Sequence, residues 1–118
     1  MPQHEKLNYV EFAAKDLEKT KAFFHDVFGW EFTDYGPDYT AFSDGVMDGG
    51  FYKADMANSS RVGGALLVFY SDDIQATLKK VVNAGGSVTK PIFDFPGGTR
   101  FHFTEPSGNE MAVWATSR

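Results

Sequence analysis

An offset of 57 residues, from Asp16 to Asp73, relates the two halves of this chain: Leu17 and Ile74, Thr20 and Thr77, Phe24 and Val81, and Gly29 and Gly86 stand in matching positions. In each half the aspartate sits where a helix N-cap belongs, apolar residues follow at helical spacing, and glycine stands where the helix must stop. A chain of 118 residues has room for one compact domain. A duplication inside it therefore predicts two copies of one supersecondary unit.

The elements follow from local pattern. Residues 7–14 read as a strand, and Asp16 opens a helix whose stripe is Leu17, Phe24, Val27 and Phe28, closed by Gly29. Residues 30–35, 39–43 and 49–54 read as short strands separated by the turn-rich stretches "GPD" and "DGVMDG". The polar segment 55–63 is the expected linker. The order then restarts with a strand at 64–71 and a helix capped by Asp72 or Asp73, with Ile74, Leu78, Val81 and Val82 as its stripe and Gly85-Gly86 as its end. Strands at 87–95, 98–105 and 109–116 follow, with turns at 96–98 and 105–108. The expected fold is α+β, a single domain over 1–118. It holds two tandem β-α-β-β-β modules, module one at 7–54 and module two at 64–116.

Net charge is −5 with no block of lysine or arginine, which disfavours a nucleic-acid backbone or an anionic membrane as partner. A small molecule or another protein fits better. The absence of cysteine excludes disulfides, thiolate metal sites and a thiol nucleophile. With no apolar leader or long apolar run, the expected location is cytoplasmic. His4 and His25 read as exposed, Gly49-Gly50 and Gly97-Gly98 as hairpin or bulge glycines, and the lysines at 19, 21, 79 and 80 as a solvated face. The aromatic cluster Trp30, Phe32, Tyr35, Tyr39, Phe42, Phe51 and Tyr52 divides on expectation between core and ligand stacking.

The duplicated unit, with "KDLEKTKAFFHDVFGW" (15–30) opening its first half and "EPSGNEMAVW" (105–114) closing its second, resembles the vicinal oxygen chelate superfamily, which includes glyoxalase, bleomycin-resistance proteins and extradiol dioxygenases. The resemblance spans residues 7–116. It implies that the two modules form a cup-shaped mixed sheet with the ligand or metal inside. Counting from the motifs, the four positions that hold metal in related enzymes correspond to Tyr9, Leu66, Ala112 and either Gly50 or Phe51. Only the phenol of Tyr9 offers an oxygen, and a protonated phenol is a poor ligand. The expectation is accordingly no metal and no cofactor, which removes the basis of a glyoxalase or dioxygenase reaction.

With Tyr9 facing the cup, strand parity turns Glu11 and Ala13 inward and Val10, Phe12 and Ala14 toward the helices. The same rule turns Leu66, Val68 and Tyr70 inward in the second module, with Ala112 and Trp114 on the last strand. The resemblance adds Arg100 and His102, with Phe101 and Phe103 behind them. The expected ligand-binding set is therefore Tyr9, Glu11, Leu66, Val68, Tyr70, Arg100, His102, Ala112 and Trp114. Glu11 and His102 are the candidate catalytic groups, unless Glu11 merely pairs with Arg100 and His102 is a partly exposed strand residue. The leading functional expectation is a metal-free protein that binds a small, partly aromatic molecule. One alternative is a lyase or isomerase related to lactoylglutathione lyase, using Glu11 and His102 or a metal at that non-standard pair. Another is a non-catalytic accessory protein, and a homodimer is expected in any case.

Overall fold

The computed structural model describes residues 2–118. Eight strands and two helices run in the order β1 (Tyr9–Ala14), α1 (Leu17–Phe28), β2 (Glu31–Asp34), β3 (Tyr39–Ser43), β4 (Asp48–Lys53), β5 (Leu67–Tyr70), α2 (Ile74–Asn83), β6 (Ser87–Phe95), β7 (Gly98–Thr104) and β8 (Glu110–Ala115). Each module makes a four-stranded mixed sheet, ordered β1-β4-β3-β2 and β5-β8-β7-β6. In both, the strand before the helix pairs in parallel with the last strand, and the remaining pairs are antiparallel. The 57-residue repeat is thus a repeat of topology.

The caps repeat as well. Asp16 accepts from the Lys19 backbone N–H at 3.0 Å, and Asp73 from that of Ala76 at 3.1 Å, each satisfying a donor that the first helical turn leaves free. Gly29, at φ 73°, ends α1 with its N–H on the His25 carbonyl. The second helix stops at Asn83, slightly short of expectation, because its cap residue is Ala84. Val82, expected in the buried stripe, is half exposed, whereas Phe23 and Thr20 join the buried face of α1.

Helix α1 serves both modules. Phe24 stacks on Trp30 at 4.4 Å and on Phe51 at 5.6 Å within its own module, while Phe28 stacks on Phe69 of β5 at 3.9 Å and Phe23 meets Phe103 of β7 at 5.8 Å. One continuous apolar core results. The aromatic cluster of the first module divides along strand parity: Trp30, Phe42 and Phe51 are buried, and Tyr35 and Tyr52 are exposed.

A polar clamp accompanies the core. In the turn after β7, Glu105 is buried and accepts from the Thr20 hydroxyl at 2.8 Å, the Ser107 N–H at 2.5 Å and the Asn109 amide at 2.7 Å. The Asn109 amide also donates to the Ala13 carbonyl, and Ser107 Oγ accepts from the Asp16 N–H. The "EPSGNE" turn of module two therefore holds the β1–α1 junction of module one.

The segment between the modules and one glycine pair add detail to these expectations. Segment 55–63 is tied down, since the Asn58 N–H donates to Asn109 Oδ1 and the Ser60 N–H and hydroxyl both donate to Glu110 Oε1 within a 3-10 turn at Ser60–Val62. Gly49 and Gly50 lie inside β4 rather than in a hairpin, because β1 and β3 pair on either side of them. Among the described residues no helix is long and apolar enough to cross a membrane.

Candidate functional site

Both sheets have a face turned away from the helices, and the candidate residues lie on these faces. In the first sheet, Val10, Phe12, Phe42 and Phe51 pack into the core, which leaves Tyr9, Glu11, Tyr39, Gly50 and Tyr52 on the open side. Cross-strand register places Glu11 beside Gly50 and Gly50 beside Ala41. Gly50, not Phe51, is therefore the open-face position, and it forms the floor of a hydrogen-bonded chain. The Tyr39 hydroxyl donates to Glu11 Oε2 at 2.9 Å and shares a second bond with the Tyr9 hydroxyl. A carboxylate only accepts, so the chain runs Tyr9 to Tyr39 to Glu11. Desolvation, followed by the bonds to Tyr9 and Glu11, raises the Tyr39 pKa above the ordinary phenol value, and Tyr39 is held as a neutral donor. A strand that otherwise reads as buried carries an acid because parity brings that acid to the open face.

In the second sheet, Phe101, Phe103, Met111 and Val113 are buried toward the helices. Arg100, His102, Ala112, Trp114, Val68 and Tyr70 share the other face through the registers Arg100 with Trp114, His102 with Ala112 with Val68, and Trp114 with Tyr70. Leu66 falls one residue before β5 but keeps that parity, since Leu67 and Phe69 pack toward the core. The Tyr70 and Trp114 rings meet edge to face at 5.1 Å. The Arg100 guanidinium lies 5.4 Å from the Phe93 ring centre and 5.6 Å from that of Phe95, an arrangement favoured by ring quadrupoles. Its Nε is buried and unpartnered, and Arg100 forms no ion pair among the described residues.

His102 is not the partly exposed residue that one alternative anticipated: it is 3% exposed. Its Nδ1 lies 3.2 Å from Glu110 Oε2, and the other Glu110 oxygen accepts both bonds from Ser60. The Ser60 backbone N–H is the main reason the Glu110 pKa is lowered from the ordinary glutamate value; the Ser60 hydroxyl and His102 add to it against desolvation. An ionised Glu110 orients the His102 ring by accepting from Nδ1–H, which leaves Nε2 as the acceptor nitrogen. That Nε2 is buried without a partner. Glu110 escaped the sequence reading, although it lies two residues before Ala112 and so shares its face.

The carboxylate contribution has a defined pH sign. A lowered folded-state pKa adds stability above the unfolded value, and that stability is lost as pH falls through the folded value. Glu110→Gln is accordingly expected to lower the urea midpoint near neutral pH and to converge on the parent protein in acid. Equal destabilisation at pH 7 and pH 3 would contradict an ionised Glu110.

Glu11 bonds to Tyr39 rather than to Arg100, and Glu11 and His102 stand on different sheets. Glu11 borders a groove of about 330 Å³ between β1 and the 55–67 segment, and Val68 borders one of about 180 Å³ beside Trp30 and Met47. At the four positions that the resemblance assigns to metal, three carry no donor side chain. Among the described residues no three His, Asp or Glu side chains gather to hold a cation. The donor set does not fit the superfamily's metal site.

The fold and these faces define a class of protein. The model of the Glyoxalase/Bleomycin resistance protein/Dioxygenase superfamily matches residues 6–113, and the chain belongs to that superfamily. Among solved structures it is similar to the fosfomycin resistance protein FosX of Listeria monocytogenes, with TM-score 0.79, 17% identity, 96% of this chain and 94% of that one. It is also similar to lactoylglutathione lyase of Agrobacterium tumefaciens, with TM-score 0.69, 21% identity, 94% of this chain and 93% of that one. Among curated proteins it matches the "Putative glyoxylase CFP32" of Mycobacterium bovis at 27% identity over 94% of this chain. The chain spans about half the length, 46%, of that relative.

Proposed function

We propose that this chain is a binding protein for a small organic molecule, that it works without a metal, and that its cup closes in a homodimer. The observation that carries the reading is the donor set: Gly50, Leu66 and Ala112 stand at three of the superfamily's ligand positions, and the Tyr9 hydroxyl at the fourth is engaged with Tyr39. Tyr9, Tyr52, Val68 and Tyr70 are 39–53% exposed on the two open faces, an uncovered aromatic surface of the kind that binds ligands or a second subunit. Charge supports pairing of the faces between copies. Glu11, Glu31 and Asp48 lie on the first, and Lys90 and Arg100 on the second, where the one acid among the described residues, Glu110, is already engaged by Ser60 and His102. Two copies also supply about the length of the mycobacterial relative.

Thermal denaturation with zinc, nickel, manganese and iron(II), beside a panel of small aromatics, tests the proposal. The expected result is no metal shift and stabilisation by an aromatic ligand, about 2.7 kcal/mol at 100 times its Kd. A stoichiometric metal with a large shift would overturn it.

One observation favours a second reading, a lyase or isomerase that moves a proton. The unpartnered Nε2 of His102, on a ring aligned by Glu110, is the group that would take the proton. Turnover unaffected by His102→Asn would remove that reading.

A further inference from the structure

The groove between β1 and the 55–67 segment has a charge character that selects its occupant. Its walls include Ala13, Met56, Ala57 and Leu67, and its one ionisable acid is Glu11, with no lysine, arginine or histidine among the lining residues. Among the described residues only Tyr39 donates to Glu11, and it does so to Oε2. The tyrosine chain fixes the carboxylate without neutralising it, because phenols bring hydrogen bonds and no charge. Tyr52, 39% exposed, lines the same groove and adds an aromatic ring. A free carboxylate oxygen, a ring and an apolar wall match a cationic head on an apolar body. They repel an anion.

From this geometry we infer that the Glu11 groove binds a small organic monocation, an ammonium group on Glu11 and Tyr52 with its apolar body along Met56, Ala57 and Leu67. The inference rests on the small-molecule reading above and narrows it to one chemical class. Anionic ligands would have to use Arg100 on the other sheet. Glu11 itself is exposed, so its replacement leaves the core intact.

Calorimetry on the full chain with three probes of similar shape tests this: phenethylamine, 2-phenylethanol and 3-phenylpropionate. The amine is expected to bind at least tenfold more tightly than the alcohol and the carboxylate. Glu11→Gln should abolish that preference while the alcohol's affinity stays unchanged, and Tyr52→Leu should weaken the amine more than the alcohol. Amine and alcohol binding equally, or an amine preference that survives Glu11→Gln, overturns the inference and leaves the wider small-molecule reading standing. Preference for the carboxylate that disappears in Arg100→Ala also overturns it by placing the ligand on the second sheet. If none of the three binds, the inference fails, whereas the small-molecule reading fails only if the broad aromatic panel is blank as well.

Discussion

Replacing Glu105 by alanine is expected to destabilise the protein by about 3 kcal/mol or more, the largest effect of any polar substitution in the chain. Three donors converge on this carboxylate, from Thr20, Ser107 and Asn109, and Thr20 and Asn109 are fully buried. Each buried donor left without an acceptor costs about 1–3 kcal/mol. The loss reaches beyond the turn, because Asn109 holds the Ala13 carbonyl and Ser107 the Asp16 N–H, so the clamp between modules loosens with it. Urea denaturation should show a lower midpoint with an unchanged slope. Thr20→Val, which removes one donor and keeps the shape, should cost far less.

The Glu105 effect also has a pH sign, opposite to that of Glu110. Burial raises its pKa despite the bonds that pull the other way. A raised folded-state value contributes stability that is fully present below the unfolded pKa and is lost as pH rises through the folded one. The penalty of Glu105→Ala should therefore be larger at pH 4 than at pH 8. An equal penalty at both would mean that the carboxyl titrates alike in the folded and unfolded chain.

The second large effect separates two neighbouring glycines. A Cβ on Gly49 would lie 2.3 Å from the Val10 backbone carbonyl and 2.4 Å from the Phe42 ring, both held by sheet pairing and core packing. Gly49→Ala should force β1 and β4 apart and cost about 3 kcal/mol, at the upper end of overpacking penalties. A Cβ on Gly50 would lie 2.0 Å from the Tyr39 hydroxyl and 2.8 Å from that of Tyr9, the far ends of side chains on the open face. Those can swing away. Gly50→Ala should then cost much less stability but break the Tyr9–Tyr39–Glu11 chain, seen as a changed tyrosine absorbance titration. Equal stability losses for the two variants would show that the strand, and not the side a Cβ occupies, sets the cost.

Glu11 shows how far a site is legible in a one-dimensional pattern. An acid between Val10 and Phe12 is enough to turn it to the face opposite the core, since parity is a property of every strand. The partner it finds there is a different matter: Arg100 was a candidate and Tyr39 is the answer, because β4 brings β3, not β7, alongside. His102 and Glu110 lie eight residues apart, yet nothing in their spacing distinguishes a surface histidine from a buried one aligned by a carboxylate that Ser60 holds. The Val82 position failed for a related reason. Helical spacing defines a stripe, but the width of the stripe that is covered depends on the neighbour, and α2 is covered less widely than α1.

The sequence by itself determined the duplication, the two capped helices, the order of elements along each module and which residues of a strand share a side. Caps, turns and periodicity act over a few residues and need nothing distant to be effective. Only the tertiary structure decided that the "EPSGNE" turn locks one module to the other, that the 55–63 segment anchors Glu110, and that the acid and the imidazole occupy separate faces of one chain. Those outcomes depend on groups 50 to 100 positions apart meeting at hydrogen-bond distance. Such meetings are set by sheet register and by one shared aromatic core, which no local signal encodes.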